Sequence, residues 1–142
     1  MTDAEWSELL LRHREVSEQQ LGDGAECWFV LNRGGGGVEW VASALGMDVA
    51  FGEVSVEGEE PGCHPDLGFA VVGVAWNFER FLPLLRARAN DEFRDILFAN
   101  LENGQIYAPY DGGADLVFPP ERDVADVKTR FTAWLSVRAD GL

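Results

Sequence analysis

Apolar residues recur on two different periods along this chain, and the changes of period mark out its elements. Over residues 3–21, Trp6, Leu9, Leu10, His13, Val16 and Leu21 fall on a helical repeat, with Glu5, Glu8, Arg12, Arg14, Glu15 and Glu18 mostly elsewhere. That predicts an amphipathic helix, capped by Thr2 or Asp3, with early acids at the positive end of its dipole and Gly22 or Gly24 at its end. Residues 25–31, AECWFVL, are aromatic and β-branched and read as a buried strand. Residues 38–47 fit a strand or a short helix. The alternation of Val49, Phe51, Val54 and Val56 predicts a strand over 49–57, with Gly52 as a bulge. Residues 67–76 are apolar throughout, as in a buried strand, after which Asn77 caps a helix reaching about Ala89. Phe78, Phe81, Leu82 and Leu85 form its stripe, and Pro83 is expected to kink it or to mark a second start.

The clearest local signal is residues 96–120, ILFANLENGQIYAPYDGGADLVFPP, which predict a three-stranded meander turning at Asn103-Gly104 and Asp111-Gly112-Gly113. A two-residue Asn103-Gly104 loop sets Leu101 opposite Ile106 and Asn100 opposite Tyr107. Side chains alternate across a strand, so Leu97, Ala99, Leu101, Ile106, Ala108 and Tyr110 share one face, and Phe98, Asn100, Tyr107 and Pro109 the other. The first set is the more apolar and is expected on the core, leaving Asn100 and Tyr107 more open. Residues 121–135 then predict a closing helix with Val124, Val127, Phe131, Trp134 and Leu135 inward.

These elements imply a single α+β domain over residues 1–142: an antiparallel sheet with a C-terminal β-meander, packed by N-terminal, central and C-terminal helices. At 142 residues with 46% hydrophobic content, the chain can bury a core without disulfide or metal staples. Cys27 and Cys63 read as reduced thiols, and the absence of a leader pattern or of a long apolar run places the protein in a cytoplasm.

Charge adds one bias. The net charge is −14, and residues 1–66 hold 14 acids against 3 bases, net −11. Such a field repels nucleic acid and anionic membranes and steers association with a basic protein. The exposed acidic loop carrying Glu57, Glu59 and Glu60 contributes to it.

Candidate chemistry is sparse. Gly34 to Gly37 lack the lysine and hydroxyl residue of a phosphate loop, and Cys63-His64 beside Asp66 and Glu60 lack a second ligand pair, so neither a cofactor nor a metal is expected. His13 reads as a half-buried helix histidine. Arg80, Arg86, Arg88 and Arg94 are the densest basic group, expected in internal ion pairs and the best candidate for an anion. Tyr107, Tyr110, Asp111 and Asp115, with Asn103, could line a polar pocket at the meander rim. Turn chemistry accounts for the same residues, the aspartates capping and the glycines supplying positive φ.

The segment IYAPYDGGADLVF and the following FTAWLSVRADGL resemble small bacterial proteins of unknown function that carry a Y-x-P-Y-D-G-G-x-D segment, a similarity covering residues 96–142. A looser similarity is to the SUKH-type immunity proteins of bacterial toxin systems, in which a strand, turn, strand and filling helix close the domain; it implies a protein-binding role. Three classes follow: an acidic binding module such as an immunity protein against a basic toxin, a small-molecule enzyme or ligand-binding domain at the meander rim, and a structural or regulatory subunit. No nucleophile, base and oxyanion donor converge in the sequence, which disfavours catalysis and puts the binding module first.

Overall fold

The computed structural model describes residues 1–32, 37–46, 51–55, 68–92 and 95–137. In chain order these form α1 (Asp3–Leu21), β1 (Glu26–Asn32), α2 (Gly37–Ala44), β2 (Gly52–Ser55), β3 (Gly68–Ala75), α3 (Phe78–Ala89), β4 (Ile96–Asn100), β5 (Ile106–Tyr110), β6 (Gly113–Val117) and α4 (Ala125–Arg130), followed by a 3-10 turn at Thr132–Trp134. The strands make one antiparallel sheet in the order β2-β3-β1-β4-β5-β6. The fold is therefore α+β, and its last three strands are the expected meander.

Local chemistry explains the helix starts. Thr2 accepts from the Glu5 N–H while Glu5 returns to the Thr2 N–H, a reciprocal cap that satisfies two orphan donors of α1. Asn77 Oδ1 accepts from the Arg80 N–H at 3.0 Å and starts α3, which runs unbroken through Pro83 rather than restarting there. The stretch over 38–47 that fitted strand or helix is helical over its first part, in α2. Gly52 pairs in regular register with Val71, so it is not a bulge. The closing helix is shorter than its apolar period implies: Asp123 caps the Ala125 N–H at 2.9 Å, and only six residues are α-helical. Of its expected inner face, Val127 and Phe131 are buried but Leu135 is exposed.

The core lies between α1, α2, α3 and one face of the sheet. Cys27, Phe29, Leu31, Ala70, Val72, Val74, Ile96 and Phe98 project into it from the strands, against Phe78, Phe81, Leu84 and Leu85 of α3. Phe98 is its hub, with ring centroids 4.8 Å from Phe29, 4.7 Å from Trp76 and 4.9 Å from Phe81.

The meander faces are the reverse of the apolar count. Phe98, Asn100, Tyr107 and Pro109 are buried, whereas Leu97, Ala99, Ile106, Ala108 and Tyr110 are half-buried on the opposite side and Leu101 is exposed in the turn. The reason is the stripe that α1 presents. Its buried residues are His13, Ser17, Gln20 and Leu21, so the sheet surface beneath it needs polar partners. Tyr107 Oη lies 2.7 Å from His13 Nδ1, Asn100 Nδ2 donates to the Leu21 carbonyl at 2.7 Å, and Gln20 Nε2 donates to the Ile106 and Val117 carbonyls, both at 2.9 Å. A tyrosine and an asparagine are buried here because their polar atoms are paired.

The first meander turn also differs. Phe98 pairs with Tyr107 and Ala99 with Ile106, two residues away from the register a two-residue loop would give. A shift of two conserves which side chains share a face. The loop is 101–104, built by Asn100 Oδ1, which accepts from the N–H groups of Glu102 at 2.7 Å and Asn103 at 3.0 Å, and closed by Gly104 at φ +70°. Replacing Gly104 by valine is expected to cost about 1 kcal/mol or more, because a β-branched residue is strained at positive φ. A thermal melt showing an unchanged Tm would contradict it.

Candidate functional site on the open face of the sheet

Alternation leaves a second face of the sheet on which no described helix packs. It carries Trp28 (47% exposed) and Val117 (50% exposed), together with half-buried Val30, Val71, Leu97 and Ile106. None of the six strands contains a lysine, arginine or histidine, and the charged side chains that the described strands turn to this face, Glu26 and Asp115, are both acids.

A proline opens a hollow in this surface. The Asn100 N–H donates to the Gln105 carbonyl. The backbone groups of alternate residues 105, 107 and 109 therefore face β4. At Pro109 there is no N–H to give, and the β4–β5 ladder ends at Phe98 and Tyr107, although β4 stays paired with β1 to Ile96 and β5 with β6 to Tyr110. The sheet forks there. A hollow of about 170 Å³ occupies the fork, floored by Val30, Leu97 and Ala108, with Ile96 and Pro109 at its walls.

Phe69 of β3 and four polar side chains complete the lining. Tyr110 and Asp115 come from the far arm of the fork, Asp95 from the near arm, and Arg88 from the last turn of α3. Burial pushes the Tyr110 phenol above its ordinary value, and the Asp115 and Asp111 carboxylates push it further in the same direction. Arg88 is 12% exposed; its guanidinium meets the Asp91 carboxylate at 3.4 Å, and its Nε is buried with no acceptor among the described residues. Neither Asp95 nor Asp115 comes within ion-pair distance of it.

The expected rim residues thus divide. Tyr110 and Asp115 line the hollow, and Asp111 sits exposed at its hairpin tip. Tyr107 does not belong to it, since it is fully buried under α1, where desolvation raises its phenol pKa strongly. Asn103 lies in the exposed 101–104 turn, where its Oδ1 accepts from the Gln105 N–H. His13 is fully buried rather than half-buried, and burial lowers its pKa to about 4. Gly112 and Gly113 do not take positive φ; a Cβ on Gly112 would meet the Tyr110 ring at 3.5 Å and one on Gly113 the Tyr110 hydroxyl at 3.3 Å, so they leave room for that side chain over the turn. The arginine cluster does not close into ion pairs as expected: among the described residues only Arg88 of that group has an acidic partner. Glu57, Glu59, Glu60, Cys63, His64 and Arg94 lie outside the described residues. Val30 and Trp28 escaped the sequence reading, and Arg88, named there within the basic group, lines the hollow; Pro109 inside an alternating strand was a legible sign of a broken ladder.

Among the described residues no three His, Cys, Asp or Glu side chains are grouped to hold a metal, and no helix is long and apolar enough to cross a membrane. No curated protein and no solved structure matches the chain. A family profile does, over residues 1–139. By that match, which spans the helices, the sheet and the forked meander alike, the chain belongs to the family described as a domain of unknown function, DUF3885.

Proposed function

We propose that this protein is a binding module for a basic protein partner, such as a toxin that it neutralises, and that the open face of the sheet is its docking surface. The observation that carries this reading is the charge pattern of that face: apolar side chains around Trp28, acids at Glu26 and Asp115, and no basic residue on any strand. An apolar centre supplies affinity once water is excluded, and the acids on the strands supply steering and selection. The net charge of −14 extends the same field over the molecule.

The first candidate partner is the basic product of a neighbouring toxin-like gene. Its association rate constant is expected to fall steeply with added salt while dissociation changes less. Trp28→Ala should weaken the complex by about 30-fold, the loss typical of an aromatic hot spot, with little change in Tm because the side chain is half exposed. A complex indifferent to both salt and Trp28→Ala would refute this docking surface.

A further inference from the structure

The hollow at the fork supports a site of its own, independent of the basic-partner reading: we propose that it binds a small zwitterion of the α-amino-acid class, with an apolar side chain. Size sets the first limit. At about 170 Å³ the hollow is well below the roughly 300 Å³ at which pockets for drug-sized ligands begin. A nucleotide or a flavin would extend well beyond it, whereas a molecule of amino-acid size is matched to it.

Charge sets the second. Arg88 from α3, Asp95 from the near arm and Asp115 from the far arm line the same space without Arg88 closing onto either carboxylate, and Arg88 keeps a buried Nε–H without an acceptor among the described residues. A desolvated guanidinium donor calls for an anionic acceptor, yet a simple anion would meet two carboxylates. A ligand carrying both charges resolves the conflict. Its carboxylate accepts from Arg88, and its ammonium faces Asp95 and Asp115 beside the Tyr110 ring, where a cation is also favoured. The floor of Val30, Leu97 and Ala108 takes the apolar side chain. Pro109 is what makes the site possible, because an unbroken ladder would close the fork.

The test is a titration of the isotope-labelled full chain, followed by NMR at the backbone amides of Val30, Leu97, Ala108 and Tyr110, with L-leucine, L-leucinamide and N-acetyl-L-leucine as probes. Leucine should give saturable shifts at these positions. The amide lacks the carboxylate and the acetyl derivative lacks the ammonium, and each should bind at least about 10-fold more weakly, as expected when one charge-assisted hydrogen-bond partner is removed. Arg88→Gln should abolish the preference for leucine over leucinamide, and Asp95→Asn with Asp115→Asn should abolish that over N-acetylleucine. Absence of saturable shifts with leucine, or equal binding of all three probes, would overturn the proposal. Should Arg88→Gln fail to fold, the three-probe comparison on the unaltered chain decides it alone. A basic partner that docks normally on a chain that ignores leucine would separate the failure of this site from that of the docking surface.

Discussion

Phe98→Ala is expected to cost about 3–5 kcal/mol, the range for truncating a fully buried aromatic side chain. Phe98 is 0% exposed and its ring packs on Phe29, Trp76 and Phe81 at centroid distances under 5 Å. The cavity left behind cannot collapse easily, because three of its walls are themselves rings held from different elements: Phe29 from β1, Phe81 from α3 and Trp76 from the β3–α3 junction. Against a total stability of about 5–15 kcal/mol for domains in general, the variant should be marginal at best. Urea denaturation would measure it, with Phe98→Leu as the milder partner, expected to recover more than half of the loss because it restores most of the buried volume. A Phe98→Ala loss below about 1 kcal/mol would mean that the hub is packed loosely.

The second large effect is on acid stability. Burial lowers the His13 pKa from 6.5 to about 4, so between those values the unfolded chain binds a proton that the folded chain does not. Stability therefore declines as the pH falls through this window, at up to about 1.4 kcal/mol per pH unit, for a loss of about 3 kcal/mol between pH 7 and 4. Above pH 6.5 both states are neutral at this residue and the dependence vanishes. His13→Gln keeps a polar atom facing Tyr107 Oη but removes the titration. Its stability should be lower at pH 7 and much flatter down to about pH 4.5, above the range in which most carboxylates titrate. Equal slopes for the two proteins over that window would show that His13 is not the titrating group.

The same histidine shows where reading the chain failed. Periodicity located α1, the strand over residues 25–31, the strand over 67–76, the helix capped by Asn77 and the three meander strands, because each is written in local order. Apart from Leu101, which falls in the turn, it also grouped the meander side chains into two correct sets. What it could not supply was which set faces inward, since that depends on the element laid across the strands. Leu97, Ala99 and Ile106 outweigh Asn100 and Tyr107 on any hydropathy scale, yet α1 presents His13, Ser17 and Gln20, and a polar stripe of that kind selects a polar partner face. Their spacing, one helical turn and then nearly another, was present in the sequence and coincides with the margin of the apolar stripe. Arg88 and Val30 could not be placed together from sequence, because the hollow that unites them comes from a hydrogen bond that Pro109 cannot make.

The strand order has a consequence for how the molecule is made. β1 is the fourth strand from the meander edge and an early element in the chain, yet its neighbours are β3 and β4, both from later in the sequence. The pairs that seal the core, Phe29 with Phe98 and Cys27 with Asn100, must close long loops before they return any stability. A chain emerging from the ribosome can form α1 early, but β1 stays without its second neighbour until β4 has followed. The decisive step of folding is thus expected to wait for β4 and to be slow for a domain of this size, in keeping with the cost of non-local strand pairing. The local hairpins of β4, β5 and β6 are the natural first structure, onto which the older half of the chain docks.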